Sequence, residues 1–112
     1  MYWPYILASR PGGALYVGVT DDLSRRVWTH KQGKGGFHTR RYRIDRLVYF
    51  ETYDDVRVAI QRERNMKHWP RAWKCNLIYD FNPTWRDLSE ELHGAPDAPP
   101  IGVAGTSPAM TR

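Results

Sequence analysis

Apolar positions along this chain fall first into short alternating runs and then into helical stripes. Trp3-Pro4-Tyr5-Ile6-Leu7 and Leu15-Tyr16-Val17-Gly18-Val19-Thr20 are rich in aromatic and β-branched residues, which predicts strands over 3–9 and 14–20. Arg10-Pro11-Gly12-Gly13 between them is turn chemistry, so the two runs should pair as an antiparallel hairpin with Tyr5 and Tyr16 on neighbouring strands. Asp21 or Asp22 is placed to cap a helix over 22–32, with Leu23, Val27 and Trp28 toward one side and Arg25, Arg26 and Lys31 toward the other. Arg26 and His30 are four apart and share a face. The run 47–53 predicts a third strand, apolar enough for a central place in the sheet. Asp54 and Asp55 open a second helix over 55–68, where Val56, Ala59, Ile60, Glu63, Met66 and Lys67 fall along one face. Glu63 stands out as a carboxylate in a mainly apolar stripe. Pro70 ends that helix and suits the first turn of a third, over 70–80, with Ala72, Trp73, Leu77 and Ile78 turned inward. Asn82-Pro83-Thr84-Trp85 reads as a turn that brings Trp85 over the core. The predicted fold is α+β: a small three-stranded antiparallel sheet, the N-terminal hairpin plus one more strand, flanked by about three helices.

Composition narrows the setting. A chain of 112 residues suggests one domain, read here as 1–92. Residues 93–112 are rich in Pro, Gly, Ala, Ser and Thr without apolar periodicity, and are expected to be disordered. The net charge is +5. Beyond residue 92 only Asp97 and Arg112 are charged and they cancel, so the whole surplus sits on the predicted domain. A basic surplus favours a polyanionic partner. It is densest over 31–46, where Lys31, Lys34, His38, Arg40, Arg41 and Arg43 are interspersed with Gly33, Gly35 and Gly36, a flexible loop suited to following phosphates. Phe37 and Tyr42 in that loop are expected to tuck into the core. The single cysteine, Cys75, excludes an internal disulfide and a cysteine-rich zinc site, and fits a reducing compartment. His38 and His68 show no metal-ligand spacing. No signal-like N-terminus or long apolar span is present, so a soluble, cytoplasmic protein is expected.

The first thirty residues resemble the GIY-YIG nuclease domain. Pro4-Tyr5-Ile6 stands in the first motif slot, with Pro4 where Gly is usual, and Tyr16-Val17-Gly18 in the second. Leu23, Arg26 and His30 match the family's helix motif, and the resemblance runs on through Glu63 to the 69–88 region, covering about residues 1–89. It implies a metal-dependent endonuclease that hydrolyses phosphodiester bonds in DNA, in repair or recombination. Tyr5 or Tyr16 would activate water; which of the two stays open. Arg26 would fork onto a phosphate oxygen and His30 relay a proton. Glu63 would hold Mg²⁺, or Mn²⁺ in its place, and Gly18 and Asn76 are accessory candidates. A single carboxylate suits Mg²⁺, which keeps waters and substrate oxygens in its shell. RNA as substrate stays open, as does the choice between a monomer and a weak homodimer. The competing reading is a non-cleaving nucleic-acid-binding module of the same fold, in which Glu63 pairs with Arg62 or Lys67.

Overall fold

The computed structural model describes residues 1–34, 36 and 41–93. Strands β1 (Trp3–Ala8) and β2 (Leu15–Thr20) form the predicted hairpin, with Tyr5 opposite Gly18 and Leu7 opposite Tyr16. Ser9 N–H donates to Ala14 O at 3.0 Å and Gly13 N–H to Arg10 O at 2.8 Å, closing the turn. Gly12 sits there at φ +72°, which side chains other than glycine's rarely take. A third strand, β3 (Arg46–Phe50), pairs antiparallel with the other side of β1, giving the order β2-β1-β3. The central strand is therefore β1, and β3 lies at an edge, contrary to the expectation from its apolar run. Its residues are apolar because both faces are covered, which an edge position permits. The predicted strand is also shorter: it ends at Phe50, beyond which Glu51 N–H donates to Pro4 O at 2.9 Å and an isolated Tyr2–Tyr53 bridge follows.

The register slips between Ile6 and Leu7: Ile6 faces Tyr49 while Leu7 faces Leu47, which leaves Val48 as an extra, bulged residue. Side chains and backbone from the following segment close the outer edge of β3. Leu88 N–H donates to Leu47 O at 2.8 Å. Leu47 N–H donates to Asp87 Oδ1 at 3.3 Å, and the Asn82 amide donates to Val48 O at 3.2 Å.

Four helices among the described residues cover the sheet. Helix α1 (Leu23–Lys31) is capped by Asp22, whose side chain accepts from Arg25 N–H, and α2 (Val56–His68) by Asp55, which accepts from Arg57 N–H. Helix α3 (Arg71–Phe81) has Pro70 at its N-cap, one position outside the predicted first turn, and α4 (Ser89–His93) is a short addition. Strand alternation sorts the core onto the two faces. Tyr5 and Leu7 pack with Leu23 and Val27 of α1 and with Leu88. Ile6, Val17 and Tyr49 pack with Met66 of α2, Ile78 of α3 and Trp85. Trp85 is fully buried in the turn before α4, as expected, with φ +56° and its carbonyl held by Arg46. Trp28, Val56, Ala72 and Trp73 do not turn inward. Leu23, Val27 and His30 already define the buried side of the short α1, and Trp28 is rotated away from it. Trp73 shares Leu77's side of α3 but packs edge-on against Trp69 instead of the sheet. No helix among the described residues is long and apolar enough to cross a membrane.

Candidate active site

Because Tyr5 faces Gly18 and side chains alternate, Tyr5, Tyr16 and Gly18 share the sheet face that packs against α1. His30 lies one turn after Val27 and is buried against the same face. The three rings converge: centroids are 6.3 Å apart for Tyr5 and Tyr16, 5.3 Å for Tyr16 and His30, and 6.2 Å for Tyr5 and His30. The Tyr5 hydroxyl and His30 Nε2 lie 3.4 Å apart. Gly18 makes this possible, since a Cβ there would meet the Tyr5 hydroxyl at 2.7 Å and Tyr16 Cε2 at 3.1 Å. The close approach that this glycine permits is that of the Tyr5 phenol.

Burial sets the protonation states. It raises the Tyr5 hydroxyl well above its ordinary value; the neighbouring Tyr16 adds to the rise, Arg26 opposes it and the Glu63 charge adds a little more. Burial, helped by Arg26 and opposed by Asp45, lowers His30 below its ordinary value. At neutral pH the pair is therefore a protonated phenol beside a neutral imidazole. When Tyr5 donates to Nε2, the ring proton sits on His30 Nδ1, which is buried with no partner among the described residues. Tyr16 is less enclosed than Tyr5. Arg26, exposed one turn before His30, lines a cleft of about 540 Å³ with Thr20, Asp22, Arg25 and Thr29.

Glu63 sits on α2 with 8% of its surface exposed. Of the two partners expected for it, it takes Lys67, whose Nζ lies 2.8 Å from Oε2. That bond, with the carboxylate's charge, raises the Lys67 pKa against its partial burial, so the ammonium is retained. No group of three or more His, Cys, Asp or Glu side chains gathers as a metal site among the described residues. One hard carboxylate with a free oxygen fits Mg²⁺ completed by water and phosphate oxygens, and does not fit zinc, which takes three or four protein ligands.

The remaining candidates scatter. Asn76 is exposed on α3, with no contact tying it to the tyrosines. Lys31 is engaged by Asp87 at 2.5 Å. Lys34, Arg41 and Arg43 are exposed, and Arg41 lies over the Tyr42 ring at 5.8 Å. Tyr42 is 52% exposed rather than tucked into the core. Phe37, His38 and Arg40 lie outside the described residues, as does nearly all of 93–112.

One cluster escaped the sequence reading. Glu51 is fully buried and accepts from Tyr49 Oη at 2.5 Å, Tyr53 Oη at 2.8 Å, and Arg62 Nε and Nη2 at 3.0 and 2.8 Å. Arg62 in turn covers the Trp69 ring at 4.9 Å. The available signal was the spacing of Tyr49, Glu51 and Tyr53, every second residue, on one side of the chain.

Comparison with known proteins gives the family of the chain. The family model for the GIY-YIG catalytic domain matches residues 1–76, a span that includes Tyr5, Tyr16, Arg26, His30 and Glu63. A UPF0213 protein of Bacillus pumilus is 44% identical over 69 residues, 62% of this chain and 70% of that one. A UPF0213 protein of Lacticaseibacillus paracasei is 35% identical over 85 residues, 76% of this chain and 94% of that one. A solution NMR structure of a UPF0213 protein from Bacillus halodurans, 30% identical, aligns over 80% of this chain and 96% of that one with a TM-score of 0.49. The chain belongs to the GIY-YIG family, and residues 1–76 match its nuclease-type domain.

Proposed function

We propose that this domain is a metal-dependent endonuclease that hydrolyses phosphodiester bonds in DNA. The observation that carries the reading is the convergence of Tyr5, Tyr16 and His30 within 5.3–6.3 Å between ring centroids, with Arg26 one helical turn away. Hydrolysis needs a base for water, compensation of charge on the phosphate, and alignment. Tyr16 is the better base, because Tyr5 is held protonated by burial. Tyr5 keeps its proton and orients the water or a phosphate oxygen. Neutral His30 accepts the hydrogen bond of the Tyr5 hydroxyl and so holds that phenol in place. Arg26 carries a permanent charge in fork geometry and bonds a non-bridging oxygen. Glu63 would hold Mg²⁺ or Mn²⁺, which when bound supplies charge neutralisation at the phosphate and at the leaving oxygen. Lys34, Arg41 and Arg43 follow the backbone of the nucleic acid on the exposed side.

A non-cleaving binding module is favoured by one observation, the Lys67 ammonium on one oxygen of the Glu63 carboxylate, where it competes with a metal. The two readings part in a cleavage panel of supercoiled plasmid, linear duplex, single strand and branched junction, each with Mg²⁺, Mn²⁺ or EDTA. The nuclease reading expects metal-dependent cutting that Glu63→Ala and Arg26→Ala abolish and Tyr16→Phe reduces by at least about a hundredfold. Salt-sensitive binding without cutting of any substrate would leave only the module.

A further inference from the structure

The corner between α2 and α3 carries a second feature, on the far side of α2 from Glu63. Arg64, Asn65 and His68 of α2, with Trp69, Pro70 and Trp73, line a shallow, open groove of about 630 Å³. At about 100° per residue, Asn65 and His68 lie roughly 140–200° around the helix from Glu63, so this groove and the tyrosine cluster occupy different flanks.

The aromatic wall is built rather than incidental. Glu51, buried, fixes Arg62 through Nε and Nη2, and the Arg62 guanidinium covers the Trp69 ring. Trp69 then meets Trp73 edge to face, with centroids 5.9 Å apart at 67°. Trp73 is left 56% exposed, a large ring standing in solvent on a rigid base. Charge surrounds it. Between residues 56 and 79 there are six Lys and Arg and one acidic residue, Glu63. Several of these cations are engaged: Arg62 by Glu51, Lys67 by Glu63, and Arg71 by the carbonyls of Gly12 and Gly13. The Arg64 guanidinium, on the groove wall, has no partner among the described residues. His68 Nδ1 donates to Arg64 O at 2.8 Å, which leaves its Nε2 to accept.

We propose that this groove grips an unpaired stretch of nucleic acid, with a base stacked on Trp73 and a neighbouring phosphate on Arg64. A half-exposed indole offers its face to any base, and an unengaged arginine beside it offers charge to the backbone, the pairing by which single strands are held without sequence readout. A folded protein partner would ask for a contiguous apolar patch, whereas the apolar surface here is two rings and a proline between cations and amides. The inference rests on the nuclease reading for its purpose, since it names an unpaired strand as what the enzyme holds on a flank away from the cutting site.

The test is fluorescence anisotropy of labelled dT12, rU12 and a blunt hairpin duplex with the full chain in EDTA. Trp73→Ala should weaken dT12 binding about tenfold, Trp73→Phe should recover most of it, and both should leave the hairpin within about twofold. Arg64→Ala should lower the salt slope for dT12 by about 0.7, one phosphate contact. A parallel loss with rU12 or its absence assigns the grip to both nucleic acids or to DNA alone, and either supports it. Unchanged dT12 binding in Trp73→Ala overturns the proposal, as does an equal loss on the hairpin. So does a wild-type dimer that Trp73→Ala dissolves, which would give the groove to a second copy of the chain. Because binding is read in EDTA, a Trp73 effect without any metal-dependent cutting sinks the nuclease reading alone. Cutting with no Trp73 effect sinks the groove alone.

Discussion

Tyr5 and His30 show how burial prepares two ordinary side chains. An unfolded chain binds a proton at His30 as pH falls through its ordinary value of 6.5, while the folded chain resists until a lower pH. In that window the unfolded state holds more protons, so His30 subtracts stability as pH drops below 6.5, and the loss is complete below its folded value. The His30→Gln variant should therefore lose less thermal stability than wild type between pH 7 and 5.5, measured as the shift in Tm. Gly18 meets the same pair from the other strand. A methyl group at Gly18 would press on the Tyr5 ring, and overpacking of this kind costs about 1–3 kcal/mol. Gly18→Ala combined with Tyr5→Ala should cost less than the sum of the two single changes in urea denaturation, since the second removes what the first strikes. Strict additivity would mean that the glycine serves something other than the phenol.

The orientation of α2 is fixed by a buried ion pair. Arg62 reaches down to Glu51 at the end of β3, and the next residue, Glu63, turns toward the tyrosines. Removing one partner strands a buried charge, so Arg62→Ala should cost about 3–5 kcal/mol, whereas the double change Glu51→Leu with Arg62→Met should cost less than either single loss. Equilibrium unfolding of Arg62→Ala, Glu51→Leu and the double variant checks this. None of that pairing was readable in advance, because Glu51 and Arg62 belong to different elements and meet only when the helix lies on the sheet. What was readable had a local cause. The Pro-Gly-Gly turn set the hairpin register and so brought Tyr5, Tyr16 and Gly18 to one face. Aspartates marked both of the first two helix starts, and Pro70 marked the break between α2 and α3. The apolar run of β3 reported burial on two faces, which does not say whether a strand is central. Helical periodicity gave Trp28 and Trp73 a direction but not the point at which the neighbouring core runs out.

At the scale of the whole molecule, the edges of the sheet decide whether copies of this chain can join strand to strand. Three bonds along the outer side of β3 bear on this: Leu88 N–H to Leu47 O, Asp87 to Leu47 N–H, and Asn82 to Val48 O. The Asn82 amide also donates to Arg86 O at 2.8 Å, so one side chain holds both the turn and the strand. Asn82→Ala should free the Val48 carbonyl and loosen the 82–86 segment, and in light scattering the variant should self-associate more than wild type as concentration rises. Open strand edges recruit other strands. With its margin stitched by its own chain, this sheet offers no template on that side, and on the nucleic-acid reading proposed above many copies can share one strand without their folds annealing to each other.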